Sequence, residues 1–331
     1  MSRAFFIFVV VLLTSFVLIA QQPSRPPATN KPGEARQQQD DQFKISVDTI
    51  LIQVPVSVPD KTGRPVDNLK EENFTVFEDK VQQKIKLFHH EDVPISLGLV
   101  IDNSGSMRNK RERVNSAALS FVRESNPEDE TFIVNFDDSP YLDQDFTGSI
   151  GDLIDALDNI DTRGETALYD AIGLSLEHVV KEGHRDSKAL LIISDGEDNK
   201  SKFKFEDVLK QLKESKVTIY AIGLLEENEE HGLFQAPPSK RAKQKLQQFA
   251  EATGGLAYFP KSLDEVEDLC KQIAHDLRNR YTLAYTPSNL KPDGSWREIK
   301  VVVNPPKAMV SKMGVPRHKP GYFAPNPPSQ N

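Results

Sequence analysis

Leu97-Gly98-Leu99-Val100-Ile101-Asp102-Asn103-Ser104-Gly105-Ser106-Met107 is the stretch whose reading decides the fold. An apolar, partly β-branched run ends on an aspartate, two hydroxyl residues follow at alternate positions, and an amphipathic helix is expected next. A short continuous apolar run fits a strand buried on both faces, as in a parallel sheet. Asp-x-Ser-x-Ser at the carboxyl end of such a strand gathers hard oxygen donors in the crevice where open α/β sheets bind ligands. Oxygen donors with few negative charges suit Mg²⁺ or Mn²⁺. The stretch therefore reads as a metal site in a binding module.

Working outward, strand and helix patterns alternate. Val114, Ala117, Ala118, Phe121 and Val122 share one helical face; Thr131–Phe136 is a strand and Tyr141–Phe146 a short edge strand. Ile150–Leu157 is helical, and Thr166 opens a helix with Leu168, Ala171, Ile172, Ser175 and Val179 inward. Ala189–Ser194 is a buried strand, Phe205, Val208, Leu209 and Leu212 mark a helix, and Val217–Leu224 is a strand. A helix carrying Leu246, Phe249 and Ala250 stops at Gly254-Gly255, a C-cap signal. Leu256–Phe259 is the last core strand, followed by a helix with Val266, Leu269, Cys270, Ile273 and Leu277 on its apolar face. This alternation predicts a doubly wound, mainly parallel α/β sheet covered on both faces, spanning residues 93–279.

The flanks are β-rich. In 43–92, Ile45, Val47, Ile50, Ile52, Val54, Val56 and Val58 show period-2 stretches, Asp60-Lys61-Thr62-Gly63 is a turn, and Phe74–Phe77 and Lys84–Phe88 are strands. In 280–319, Tyr281–Tyr285 and Trp296–Val303 read as a hairpin joined by Asp293-Gly294. The expectation is that both flanks pair in one small sheet. Residues 320–331 read as a Pro-rich tail and Glu226–Lys240 as a charged surface loop. At the other end, Arg3 precedes an apolar run from Ala4 to Ala20, the pattern of a secretory signal, with an uncleaved anchor as the alternative. Either way the folded part is expected outside the cytoplasm, in the periplasm, cell envelope or extracellular space. Residues 21–42, rich in Gln, Pro, Asp and Arg, read as a disordered spacer.

The chain has 331 residues and a net charge of −8, with no basic stripe that would suit nucleic acid. Its one cysteine, Cys270, excludes an intramolecular disulfide and reads as a core side chain.

Two further stretches join the first. Gly164-Glu165-Thr166-Ala167-Leu168 puts a threonine at a helix start, and Leu190-Leu191-Ile192-Ile193-Ser194-Asp195-Gly196-Glu197 puts a second aspartate at a strand end. In this order and at these intervals, the three stretches resemble the metal-ion-dependent adhesion site of von Willebrand factor A domains, over roughly Val93–Leu277. All five expected positions are filled: Asp102, Ser104, Ser106, Thr166 and Asp195. The resemblance implies that Ser104, Ser106 and Thr166 hold Mg²⁺ or Mn²⁺ through their hydroxyls, and Asp102 and Asp195 directly or through water. It also implies a protein partner whose Asp or Glu carboxylate completes the shell. The flanks resemble a bacterial group of exported proteins with related domains, known mainly from Acidobacteria. That likeness rests on Val54-Pro55-Val56-Ser57-Val58, Asp60-Lys61-Thr62-Gly63-Arg64-Pro65, Phe77-Glu78-Asp79, Tyr285-Thr286-Pro287 and Pro320-Gly321-Tyr322.

Other polar groups carry less. Glu197, Asp198 and Asn199 read as a solvated loop rather than an accessory cation site, and Asp137, Asp138, Asp143 and Asp145 as solvated charge rather than a calcium site. His89 and His90 point apart on a strand. Residues 107–113 place positive charge near the site, either to steer acidic ligands or to solvate a helix face. A phosphoryl-transferring aspartate would need a second carboxylate two residues on, where Ser104 stands. The chain is thus read as a non-enzyme, with a structural scaffold carrying a silent metal site as the alternative.

Overall fold

The strand β5 (Ile95–Asp102) is the axis of the molecule, and in the computed structural model every one of its residues is buried. The structure describes residues 50–90, 92–124, 126–158, 162–196, 198–225 and 238–327. The segments read as an export signal and spacer, and most of the charged loop, lie outside the described residues.

Alternate side chains of a strand face opposite ways, and β5 serves two cores. Leu97, Leu99 and Ile101 enter one, Val100 the other. Gly98 lies on the second face, where a Cβ would come within 2.3 Å of Phe132 Cζ and 2.5 Å of Leu190 Cδ2. The missing side chain lets the neighbouring strands' side chains close over β5.

Both neighbours of β5, β6 (Glu130–Phe136) and β8 (Ser187–Ser194), run parallel to it. Beyond β8 come β9 (Thr218–Gly223) and the two-residue β10 (Ala257–Tyr258), also parallel. β7 (Pro140–Thr147) closes the other edge antiparallel to β6, giving a six-stranded sheet of order β10-β9-β8-β5-β6-β7. Helices α1 (Arg111–Arg123), α2 (Ile150–Asp158) and α6 (Glu265–Arg278) cover one face. The other is covered by α3 (Leu168–Glu182), α4 (Phe205–Glu214) and α5 (Pro238–Thr253). The expected doubly wound sheet is present, and Cys270 is a buried core side chain whose thiol burial pushes up to about 12. Gly254 ends α5 at φ +82°, a conformation glycine adopts without a Cβ penalty.

The flanking strands form two sheets, where one was expected. β1 (Ile52–Ser57), β2 (Phe74–Glu78), β3 (Val81–Gln83) and β4 (Ile85–His89) precede the α/β region. β11 (Tyr281–Tyr285), β12 (Trp296–Val303), β13 (Arg317–His318) and β14 (Gly321–Phe323) follow it. They build four-stranded antiparallel sheets of order β13-β1-β11-β4 and β14-β12-β2-β3 around one core that includes Val54, Val56, Phe74, Val76, Tyr281 and Ile299. The expected hairpin between β11 and β12 does not form. β11 has β1 and β4 on its two edges, and β12 pairs with β14 over Trp296–Glu298 and with β2 over Ile299–Val303, so the two strands lie in different sheets. The connecting segment 286–295 instead carries the chain from one sheet to the other. Part of the segment read as a tail is the strand β14.

The β2–β3 turn puts Asp79 at φ 47° and Lys80 at φ 70°. Two consecutive positive φ values match the twist of a tight hairpin, but a side chain there is strained. Lys80→Gly is expected to raise stability by about 0.5–1 kcal/mol, read as a higher urea midpoint at unchanged slope.

Two buried acids knit distant strands. Glu78 accepts hydrogen bonds from the hydroxyls of Tyr285, at 2.7 Å, and Tyr322, at 2.9 Å. Asp276 of α6 accepts from Ser57 of β1, Tyr220 of β9 and Arg317 of β13, joining the sandwich to the α/β region. Among the described residues no helix is long and apolar enough to cross a membrane.

Candidate metal centre

The connection after β5 leads to β6 on one side, whereas β8 lies on the other. Their carboxyl ends therefore border a topological switch point, where an open α/β sheet leaves a crevice. Asp102 ends β5, Ser194 ends β8, and Asp195 follows it directly.

Asp102 is fully buried. Its Oδ1 accepts from the Ser104 backbone N–H at 2.8 Å and its Oδ2 from Ser194 Oγ at 2.6 Å. Burial pushes its carboxyl up to about 6, against the opposing pull of those hydrogen bonds. Ser104 Oγ lies 3.1 Å from Ser106 Oγ, which donates to Asp195 Oδ1 at 2.7 Å. The chain after Asp102 forms a short 3-10 turn, Gly105–Met107, and α1 begins only at Arg111. The helix start is thus displaced from the two serines. Ser104 makes no side-chain cap bond, so its hydroxyl is engaged with the cluster and not with a helix end.

Thr166 arrives on a loop fastened at several points. Arg163 N–H donates to Asn103 O at 2.9 Å, Gly105 N–H to Gly164 O at 3.2 Å, and Ala167 N–H to Asp137 O at 2.8 Å. Asn199 Oδ1 accepts from Thr166 N–H at 2.9 Å, and Thr166 O accepts from the Asn199 and Lys200 amides. A Cβ on Gly196 would lie 3.5 Å from Thr166 Oγ1, which places that hydroxyl beside the second aspartate's loop.

Several acids read as solvated charge act as fasteners. Asp138 Oδ1 accepts from the Glu165 amide, and Asp198 Oδ1 from the Tyr169 amide and Ser201 Oγ. Asp143 accepts from Asn135, and Asp145 pairs with His178. Short side chains that accept from nearby amides are ordinary loop chemistry. The sequence signal was their placement next to strand ends. Glu197 lies outside the described residues. His90 stacks on Tyr281, 4.1 Å between ring centroids.

The basic run divides. Arg111 is buried behind the site, donates to Asn103 and Asn135, and is lowered to about 10 by burial. Lys110 turns inward, its Nζ 2.6 Å from Asp195 Oδ2. Arg113 stays at the surface, paired with Asp264. Among the described residues no group of three His, Cys, Asp or Glu side chains could hold a metal. A divalent ion at this point would depend on the hydroxyl oxygens.

Residues 97–197 match the family model of the von Willebrand factor type A domain. With the sheet order above, that gives the α/β region the von Willebrand factor A-type fold. Similar solved structures include a von Willebrand factor type A protein from Catenulispora acidiphila, 10% identical over 78% of this chain and 74% of that one, TM-score 0.48. Another is proximal thread matrix protein 1 of the mussel byssus with zinc in its metal-ion-dependent adhesion motif, 16% identical over 60% of this chain and 49% of that one, TM-score 0.47. A third is an aerotolerance-related membrane protein from Bacteroides fragilis, 14% identical over 54% and 98%, TM-score 0.43. No curated protein matches the sequence.

Proposed function

We propose that this chain is a divalent-metal-dependent protein-binding module. The observation that carries the reading is the hydrogen-bonded cluster at the switch point. It runs from Ser194 to Asp102, on through Ser104 and Ser106, to Asp195. The donor set fits a hard cation. Asp102 is a buried carboxylate whose hydrogen-bond partners, among the described residues, are neutral, and an uncompensated buried charge is costly. A cation beside it would remove that cost.

In this reading Ser104, Ser106 and Thr166 hold Mg²⁺ or Mn²⁺ through hydroxyl oxygens, with Asp102 and Asp195 bound directly or through water. A bound ion surrounded by few carboxylates stays electrophilic and accepts an Asp or Glu side chain from a protein partner. The residues of the chain hold the site open and in register. The fastened 163–167 loop fixes Thr166, and buried Arg111 braces Asn103 behind it. Two residues beyond Asp102 stands Ser104 and not a second carboxylate, which favours binding over phosphoryl transfer. The Arg3 and Ala4–Ala20 pattern supports export.

Calorimetric titration of the full chain with Mg²⁺ and with Mn²⁺ tests the reading. Saturable binding is expected, and partner capture should be lost in EDTA. A folded protein that binds neither ion would overturn the proposal and leave the scaffold reading.

A further inference from the structure

Lys110 enters the oxygen cluster from the turn that precedes α1. Its Nζ lies 2.6 Å from Asp195 Oδ2, with the lysine side chain 13% and the aspartate side chain 1% exposed. The other oxygen of Asp195 accepts from Ser106. An ammonium therefore stands against one of the two carboxylates that a divalent ion in this cluster would draw on.

Resting on the metal-site reading above, we propose that Lys110 is a resident counter-cation of the site. Its ammonium neutralises Asp195 in the metal-free protein and leaves that carboxylate when a divalent ion enters, so Lys110 sets the metal affinity. Burying Asp195 with no positive partner would be costly, and the lysine removes that cost without metal. A lysine suits the exchange. It is a point charge on a flexible stem, and its partial exposure leaves a path to solvent. An ammonium and a divalent ion cannot share one carboxylate without strong repulsion. The lysine is then a competitor whose removal favours the metal.

Arg108, on the same turn, is exposed and donates to Thr162 O at 3.4 Å. It carries the same charge outside the cluster and serves as the control. Full-length wild type, Lys110→Met and Arg108→Met are titrated with Mg²⁺ and Mn²⁺ by calorimetry, and melted in EDTA and in saturating Mg²⁺. Lys110→Met is expected to bind Mg²⁺ at least ~10-fold tighter than wild type, and Arg108→Met to stay within about twofold. In EDTA, Lys110→Met should melt below wild type, and Mg²⁺ should erase the deficit. Lys110→Gln, which keeps a donor for Asp195, should give the same order of affinities if Lys110→Met does not fold. If wild type binds metal and the neutral variants bind no tighter, the proposal falls and the metal site stands. Equal tightening in Arg108→Met also overturns it, because net charge would then be the cause. If no variant binds either ion, both readings fall.

Discussion

Arg317→Ala is expected to lower the unfolding free energy by about 3–5 kcal/mol, the range for breaking a buried ion pair from one side. Asp276 is 3% exposed, and Arg317 Nη2 donates to it at 2.8 Å and to Ser57 Oγ at 3.3 Å. Without the guanidinium, the carboxylate keeps the hydroxyls of Ser57 and Tyr220 but loses its directly bonded cation. The four residues come from β1, β9, α6 and β13, so the loss falls on the joint between sandwich and α/β region. Guanidinium denaturation reads the effect. A second variant, Asp276→Leu with Arg317→Met, should cost less than Arg317→Ala alone, since it leaves no buried charge unpaired. A loss below about 1 kcal/mol for Arg317→Ala would place the pair among solvated surface contacts.

Asp102→Asn is expected to weaken Mg²⁺ binding by at least ~100-fold while leaving the metal-free protein as stable as wild type or more so. The amide keeps the shape of the side chain and an oxygen for the Ser104 N–H bond. Facing Ser194, its NH₂ can donate where the carboxylate accepted. What disappears is a fully buried negative charge with neutral hydrogen-bond partners among the described residues. If that charge serves only the fold, its removal should not affect metal; if it serves the ion, metal binding fails and the fold survives. Calorimetry paired with thermal melts in EDTA separates the two. Unchanged Mg²⁺ affinity in Asp102→Asn would remove Asp102 from the ligand set.

The α/β region was legible because its signals are local. β5 is apolar from Leu97 through Ile101 and stops at Asp102, and the helices repeat at 3.6 residues, so strand ends and loop starts could be placed from periodicity alone. That Asp102, Ser104, Ser106 and Asp195 lie close together was legible for the same reason, since strand ends in such a sheet converge. The sandwich was not, because strand pairing is non-local. Tyr281–Tyr285 and Trp296–Val303 have similar strand character, and nothing in either says that β1 and β4 will claim the edges of the first. The flank motifs show the same limit. Glu78, Tyr285 and Tyr322 are far apart in the chain and meet only as hydroxyls on one buried acid. Lys110 was read as part of a charge run because its inward turn depends on where Asp195 comes to lie.

The sandwich is assembled from both ends of the described chain, and this constrains the order in which the protein can fold. Among the described residues β1 pairs with β11 and β13 and β4 with β11, so these first strands have no complete sheet to join until the last ones exist. Closing a flexible loop as long as residues 90–280 costs roughly 5 kcal/mol of chain entropy. A folded α/β region removes most of that cost, since Arg278 at the end of α6 bonds Asp92 just before β5 and holds the two exits side by side. The inserted α/β region is then the template on which its own host closes. A chain emerging from the ribosome or through a membrane should carry β1 and β4 unpaired, and β2 paired with β3 alone, until residues beyond 280 arrive.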